Sequence, residues 1–149
     1  MIFNPSITVI LKNNFWYLDR SISIDTWKSE LLKHGLKGHS LADKLLKNLG
    51  GLKIQLAGHP SFNLAFIPTL DSSLMFEELK EVNDESELNF YPLGLDEDNI
   101  MIAIEEKGAI FGFLSDIVFR YGNDLESSLN CLFRIEGQIE DVGWNYDNW

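Results

Sequence analysis

The spacing of apolar residues changes several times along the chain, and each change marks an element. Ile7, Ile10 and Leu11 follow a helical period behind Asn4-Pro5, a capping Asn with Pro at the first helical position, and predict a helix over 5–13. The β-branched run Ile7-Thr8-Val9-Ile10 argues the other way. Phe15-Trp16-Tyr17-Leu18 is then an aromatic cluster, expected in a partly buried loop or short strand. Asp25 can cap a second helix with Trp27, Leu31 and Leu32 on its apolar face and Gly35 at its end. Ser40-Leu41-Ala42-Asp43 reads as the capping box of a third, with Leu41, Ala42, Leu45, Leu46 and Leu49 as its inner stripe. At Gly50-Gly51 the helical period gives way to alternation, and Leu52, Ile54 and Leu56 fall on one side of a strand. Gly50 suits the left-handed position after a helix, and Gly51 the reversal.

Beyond that joint, Gly58-His59-Pro60-Ser61 reads as a turn and Phe62 to Thr69 as the returning strand. Leu74 to Glu87 predicts an acidic helix with Met75, Phe76 and Leu79 as its apolar patch, fraying from Asn83 onward. Phe90 to Gly94 is an extended segment closed by proline and glycine, and Asp96 to Asn99 a polar loop. Ile100, Ile102 and Ile104 alternate, Glu106-Lys107-Gly108 turns the chain, and Ala109 to Leu114 completes a hairpin. Ile117, Phe119 and Tyr121 suggest one more short strand. Asn123-Asp124-Leu125-Glu126 reads as a capping box, with Leu125, Leu129, Leu132 and Phe133 on one face of a last helix that Gly137 ends. Residues 138–149 form an acidic, aromatic tail, either docked or loose.

Composition supports a packed domain: the 149 residues are 45% hydrophobic and 12% aromatic, which disfavours disorder. Apolar runs such as Ala109 to Leu114 fall far short of the roughly 18 residues of a membrane-spanning helix. No basic stretch precedes the first apolar residues, so a signal peptide is not expected, and the reading is a soluble cytoplasmic protein. The one cysteine, Cys131, lies among apolar helix positions, which excludes an internal disulfide and predicts a buried, inert thiol.

Charge is divided unevenly. Met1 to Lys53 holds eight basic and four acidic residues, net +4; the remainder holds four basic and nineteen acidic, net −15. Asp71 to Glu106 alone carries twelve acids and one lysine. Such a field repels nucleic acid and anionic membrane and speeds encounter with a basic protein.

Catalytic signatures are absent: there is no dinucleotide fingerprint, phosphate-binding loop, Gly-x-Ser-x-Gly or His-Glu-x-x-His. His34, His39 and His59 lie in predicted turns or helix ends, as surface or capping residues rather than metal ligands. Asp96-x-Asp98 resembles the start of a calcium loop, but the sixth position is Met101 and the twelfth Lys107, so it is rejected. No metal or cofactor is expected. Many carboxylate pairs are available to an undetected enzyme, and a turnover abolished by Asp98→Asn would reveal one.

The order of these segments carries a resemblance. Trp16-x-x-x-Arg20, Trp27-x-x-x-Leu31-x-x-x-Gly35, and Ala42-x-x-Leu45-x-x-x-Leu49-Gly50-Gly51-Leu52-x-Ile54 resemble the third subgroup of the SUKH superfamily of bacterial immunity proteins. The likeness continues through Tyr91-Pro92-Leu93-Gly94, Ile102-x-Ile104-x-x-x-Gly108-x-Ile110-x-Gly112, Gly122-Asn123-Asp124, and Ser128-Leu129-Asn130-x-Leu132, covering about Asn4 to Gly137. It departs at Tyr17-Leu18-Asp19, where a glycine commonly precedes the arginine, and in the tail.

The resemblance implies a single α+β domain over 1–137, its mostly antiparallel sheet flanked by helices, that binds and neutralises a toxin without catalysis. The toxin is a nuclease or another intracellular effector. Joined to the charge distribution, this assigns partner binding to Glu77, Glu78, Glu81, Asp84, Glu85, Glu87, Asp96, Glu97 and Asp98, facing a basic toxin surface, with Trp144 and Tyr146 as anchors or as parts of a docked tail. A scaffold or regulatory interaction domain is the alternative. Survival of a deletion strain in the presence of the active toxin would favour it.

Overall fold

In a computed structural model that describes Met1–Trp149, five α-helices and seven strands form one α+β arrangement. Helices α1 (Pro5–Asn13), α2 (Asp25–Leu32) and α3 (Ser40–Leu49) come first, then strands β1 (Lys53–Leu56) and β2 (His59–Ala65). Helix α4 (Ser73–Ser86) leads into β3 (Phe90–Asp96), β4 (Ile100–Glu105), β5 (Ile110–Leu114) and β6 (Ile117–Gly122). Helix α5 (Leu125–Leu132) and a two-residue β7 (Glu140–Asp141) close the chain. The sheet is an antiparallel meander in chain order, β1 to β7. Four of its six connections are short loops or turns, while α4 joins β2 to β3 and α5 joins β6 to β7.

Pairing sorts side chains onto two faces. Opposition of Met101 to Phe113, Ala103 to Phe111 and Phe90 to Glu105 puts the three phenylalanines on one face. Tyr91, Ile102, Ile104 and Ile110 take the other, which α3 and α5 cover. On that side Ser128 Oγ accepts the Ile110 N–H at 3.1 Å, and Gly38 lies against the Tyr91 ring.

The caps refine the sequence reading. Asn4 Oδ1 accepts the Ile7 N–H at 2.9 Å, so the Asn-Pro start holds and outweighs the β-branched run. Asp25 is the first residue of α2 rather than its cap, which is Ile24 and lacks a side-chain bond. The cap of α3 is His39, not Ser40: its Nδ1 accepts the Ala42 N–H at 3.2 Å, while Nε2 lies 3.0 Å from the Ile104 carbonyl. These partners require the neutral ring with its proton on Nε2. Asp43, freed from the expected box, pairs with Lys28 at 2.9 Å. For α5 the box is Asp124 with Ser127, one residue later than expected.

Other boundaries shift as well. The double glycine works in the reverse sense: Gly50 has φ −53, and Gly51, at φ +82, is the left-handed residue. A Cβ on Gly50 would run into the Leu46 carbonyl and lie 2.6 Å from Trp27, whereas one on Gly51 would meet only the Arg20 guanidinium, at an ordinary 3.8 Å. Strand β2 begins at His59 and ends at Ala65, so His59 to Ser61 belong to the strand and the turn is Ala57-Gly58. Helix α4 stays intact to Ser86; Asn83 exchanges hydrogen bonds with both backbone groups of Phe90, at 2.7 and 3.0 Å, and fastens the helix to β3.

The aromatic cluster is a loop in which only Trp16 is buried; Phe15, Tyr17 and Leu18 face solvent. Asp19 adopts φ +64, which explains why glycine commonly precedes the arginine. Arg20 then donates to the Asn48 and Gly50 carbonyls at 2.6 and 2.7 Å, neutralising the C-terminal end of α3.

Candidate functional site

Glu78, Glu81, Val82 and Glu85 recur at i, i+3, i+4 and i+7, which places them along one stripe of α4. The neighbouring stripe holds Glu77, Glu81 and Asp84, while Phe76, Leu79 and Val82 are buried and anchor the helix. Lys80 answers one acid, reaching Asp84 at 2.7 Å. No base occupies the last turn, so Asp84, Glu85 and Glu87 gather at the negative end of the helix dipole. Glu77 and Glu81, and Glu81 and Glu85, are like charges at i, i+4, each pair costing about 0.2–0.5 kcal/mol.

Residues of the C-terminal segment meet this acidic stripe. Glu78, Glu81, Val82 and Glu85 line a groove of about 310 Å³ whose opposite wall is Ser115, Trp144 and Tyr146. The Tyr146 hydroxyl donates to Glu85 Oε2 at 2.7 Å. Partial burial, then the Glu85 carboxylate, pushes the phenol up to about 12. Trp144 keeps 37% of its surface exposed, and its ring lies 6.1 Å from Phe113. Three acids and two aromatics far apart in sequence therefore share one open groove.

Asp96, Glu97 and Asp98 lie elsewhere. Asp96 is only 3% exposed, at the end of β3, and not in the polar surface loop expected of it. Its Oδ2 accepts from the Tyr121 hydroxyl at 2.8 Å and lies 3.4 Å from Arg134, and its Oδ1 accepts the Glu97 N–H. Burial raises its pKa against the opposing pull of these bonds and the arginine. Glu97 is tied to the same Arg134 at 2.9 Å, and Asp98 is exposed beside Lys53, Ser61 and Asn63 in a second groove. The nine acids thus form a helix patch and a separate patch after β3, with Asp96 withdrawn from the surface.

Sequence reasoning missed Ser115, in the turn between β5 and β6, and the pair Tyr121 and Arg134. Alternation suggested a strand at Tyr121, but no local pattern connects it to Asp96. Cys131 is buried as expected, and burial raises its thiol pKa. No three His, Cys, Asp or Glu side chains converge as metal ligands, and no helix is long and apolar enough to cross a membrane.

A family model described as SUKH-3 immunity protein matches residues 3–135. No curated protein and no solved structure matches the chain.

Proposed function

The chain belongs to the SUKH-3 immunity protein family, and on that footing we propose that it binds and neutralises a cognate toxin through the groove between α4 and the C-terminal segment. Binding is non-catalytic and takes place in the cytoplasm, and the toxin face it meets is basic, as the phosphate-holding site of a nuclease would be.

The observation that carries this reading is the placement of charge on α4. Of the acids on this stretch only Asp84 and Glu85 have side-chain partners, in Lys80 and Tyr146; the like charges at i, i+4 and the acids at the negative helix end cost stability, and departures of that kind concentrate at functional sites. Beside them stand a partly exposed Trp and a Tyr, residue types that dominate binding hot spots. A basic toxin surface would relieve the repulsion, be drawn in from a distance, and stack its cations against the rings.

The test is association kinetics with the toxin encoded beside this protein. Glu78→Lys with Glu81→Lys, one half-buried and one exposed position in the open groove, is expected to leave the circular dichroism spectrum unchanged and to slow association at least about tenfold at low salt. Association indifferent to both charge reversal and ionic strength would refute the groove.

A further inference from the structure

The groove between α4 and the C-terminal segment is selective in what it can hold. Its volume of about 310 Å³ lies at the lower end of the range for small ligands, room for one long side chain rather than a stretch of backbone. The lining carries three carboxylates and no base. Lys80 also stands on α4 but turns to Asp84, and neither lines the groove. Glu85 has one oxygen taken by the Tyr146 hydroxyl, while Glu78 and Glu81, three residues apart on the helix, carry no side-chain partner. Opposite them Trp144 is held in place. The Gly143 carbonyl accepts the Trp149 Nε1–H at 2.8 Å, the Gly143 N–H donates to Asp141 Oδ1 at 3.1 Å, and the Trp144 ring backs onto Phe113. An indole fixed in this way and still 37% exposed leaves ring surface open beside unpaired carboxylates.

We propose that the groove is a socket for one arginine side chain of the partner and that Trp144 makes it select arginine over lysine, an inference that rests on the groove's being the toxin-binding face. Either cation satisfies the charge, so the carboxylates alone do not discriminate. Shape and hydration decide between them. A guanidinium is planar, carries five N–H donors in a fixed fork, and can lay its face on the indole while its edge meets Glu78 and Glu81. An ammonium is a compact charge that keeps its water, which a wall made of Val82 and the Trp144 ring is poorly suited to replace. Glu85 is a positioning residue: its 2.7 Å bond to Tyr146 holds the C-terminal segment across from the helix and so sets the width of the groove.

The probes are N-acetyl-arginine methylamide and its lysine counterpart, titrated into the full chain and followed by the NMR shifts of the Trp144 indole and of the Glu81 and Ser115 amides. The arginine probe is expected to bind at least about fivefold more tightly than the lysine probe, with shifts centred on the groove. Trp144→Leu should bring arginine down to the level of lysine, Trp144→Tyr should keep the preference, and Glu81→Gln should weaken both. Equal affinity for the two probes overturns the proposal, as does binding of neither, or shifts centred elsewhere. So does a preference that survives Trp144→Leu, or a loss there that lowers both affinities in proportion, since Trp144 would then serve structure alone. Should Trp144→Leu fail to fold, the wild type and Trp144→Tyr decide. Each of these failures leaves toxin binding by the groove to be judged by charge reversal, so the two readings fall separately.

Discussion

Tyr146 and Glu85, 61 residues apart, are joined by a 2.7 Å hydrogen bond that closes one end of the groove between the C-terminal segment and α4. The bond ties the segment's aromatic residues to the acidic helix. Tyr146→Phe should lose about 0.5–1 kcal/mol of stability, the modest figure expected for a bond open to water, and loosen Trp144 at the groove wall. Chemical denaturation and Trp144 emission would report both.

The same pair predicts an alkaline signature. The folded chain holds the Tyr146 proton up to about 12, above the ordinary 10, first through partial burial and then through Glu85. A phenol with a raised folded value keeps its full contribution below pH 10 and loses it as pH rises through about 12. Ultraviolet titration of wild type minus Tyr146→Phe should isolate this late-ionising tyrosine, and Glu85→Gln should move it back toward 10.

Asp96 predicts the opposite kind of variant. Removing its carboxylate in Asp96→Ala leaves the buried Tyr121 hydroxyl and one side of Arg134 without partners, at a cost of about 2–4 kcal/mol. Asp96→Asn keeps an acceptor for Tyr121 and should cost less. Because the folded pKa is raised by burial, Asp96 favours the folded state as pH falls and opposes it as pH rises from the ordinary carboxylate value through the folded one. Urea midpoints from pH 4 to 7 should show this slope in the wild type and its absence in Asp96→Asn.

The two adjacent glycines should respond unequally. Gly51→Ala meets only the Arg20 guanidinium at an ordinary contact distance and so carries the left-handed penalty alone, about 1–2 kcal/mol. Gly50→Ala drives a methyl into the Leu46 carbonyl and Trp27 and should cost more, about 3 kcal/mol. Thermal midpoints of the two variants rank them directly.

His39 links the start of α3 to the Ile104 carbonyl of β4. His39→Ala forfeits a helix cap and an inter-element bond, together about 1–2 kcal/mol, whereas His39→Asn restores the cap alone. Measured stability should fall in the order wild type, Asn, Ala.

Local signals carried most of the fold. The Asn4-Pro5 start, the stripe from Ala42 to Leu49 and the alternation from Ile100 to Ile104 all depend on neighbours a few residues away, and all stand in the structure. Caps were less legible because neighbouring residues compete for the role: His39 and Ser40 adjoin at the start of α3, and proximity to the Ile104 carbonyl favours the histidine, which leaves Ser40 as the first helical residue. The acidic helix was visible as a charge run, but its groove was not, because Trp144 and Tyr146 reach it from about sixty residues away.

What the sequence by itself determined is the identity and order of the elements as far as α5, the family they resemble, and the concentration of negative charge beyond Lys53, since periodicity and composition are local quantities. Tertiary structure alone decided which acids face water. Asp96 looks like its neighbours Glu97 and Asp98 in the chain, yet the end of β3 carries it inward to Tyr121 and Arg134. It also decided that the acidic helix acquires aromatic partners, because β7 pairs with β6 and swings the C-terminal residues across the phenylalanine face toward α4. Contacts between residues so far apart depend on where the sheet turns, a property of the assembled strands that no stretch of the chain contains.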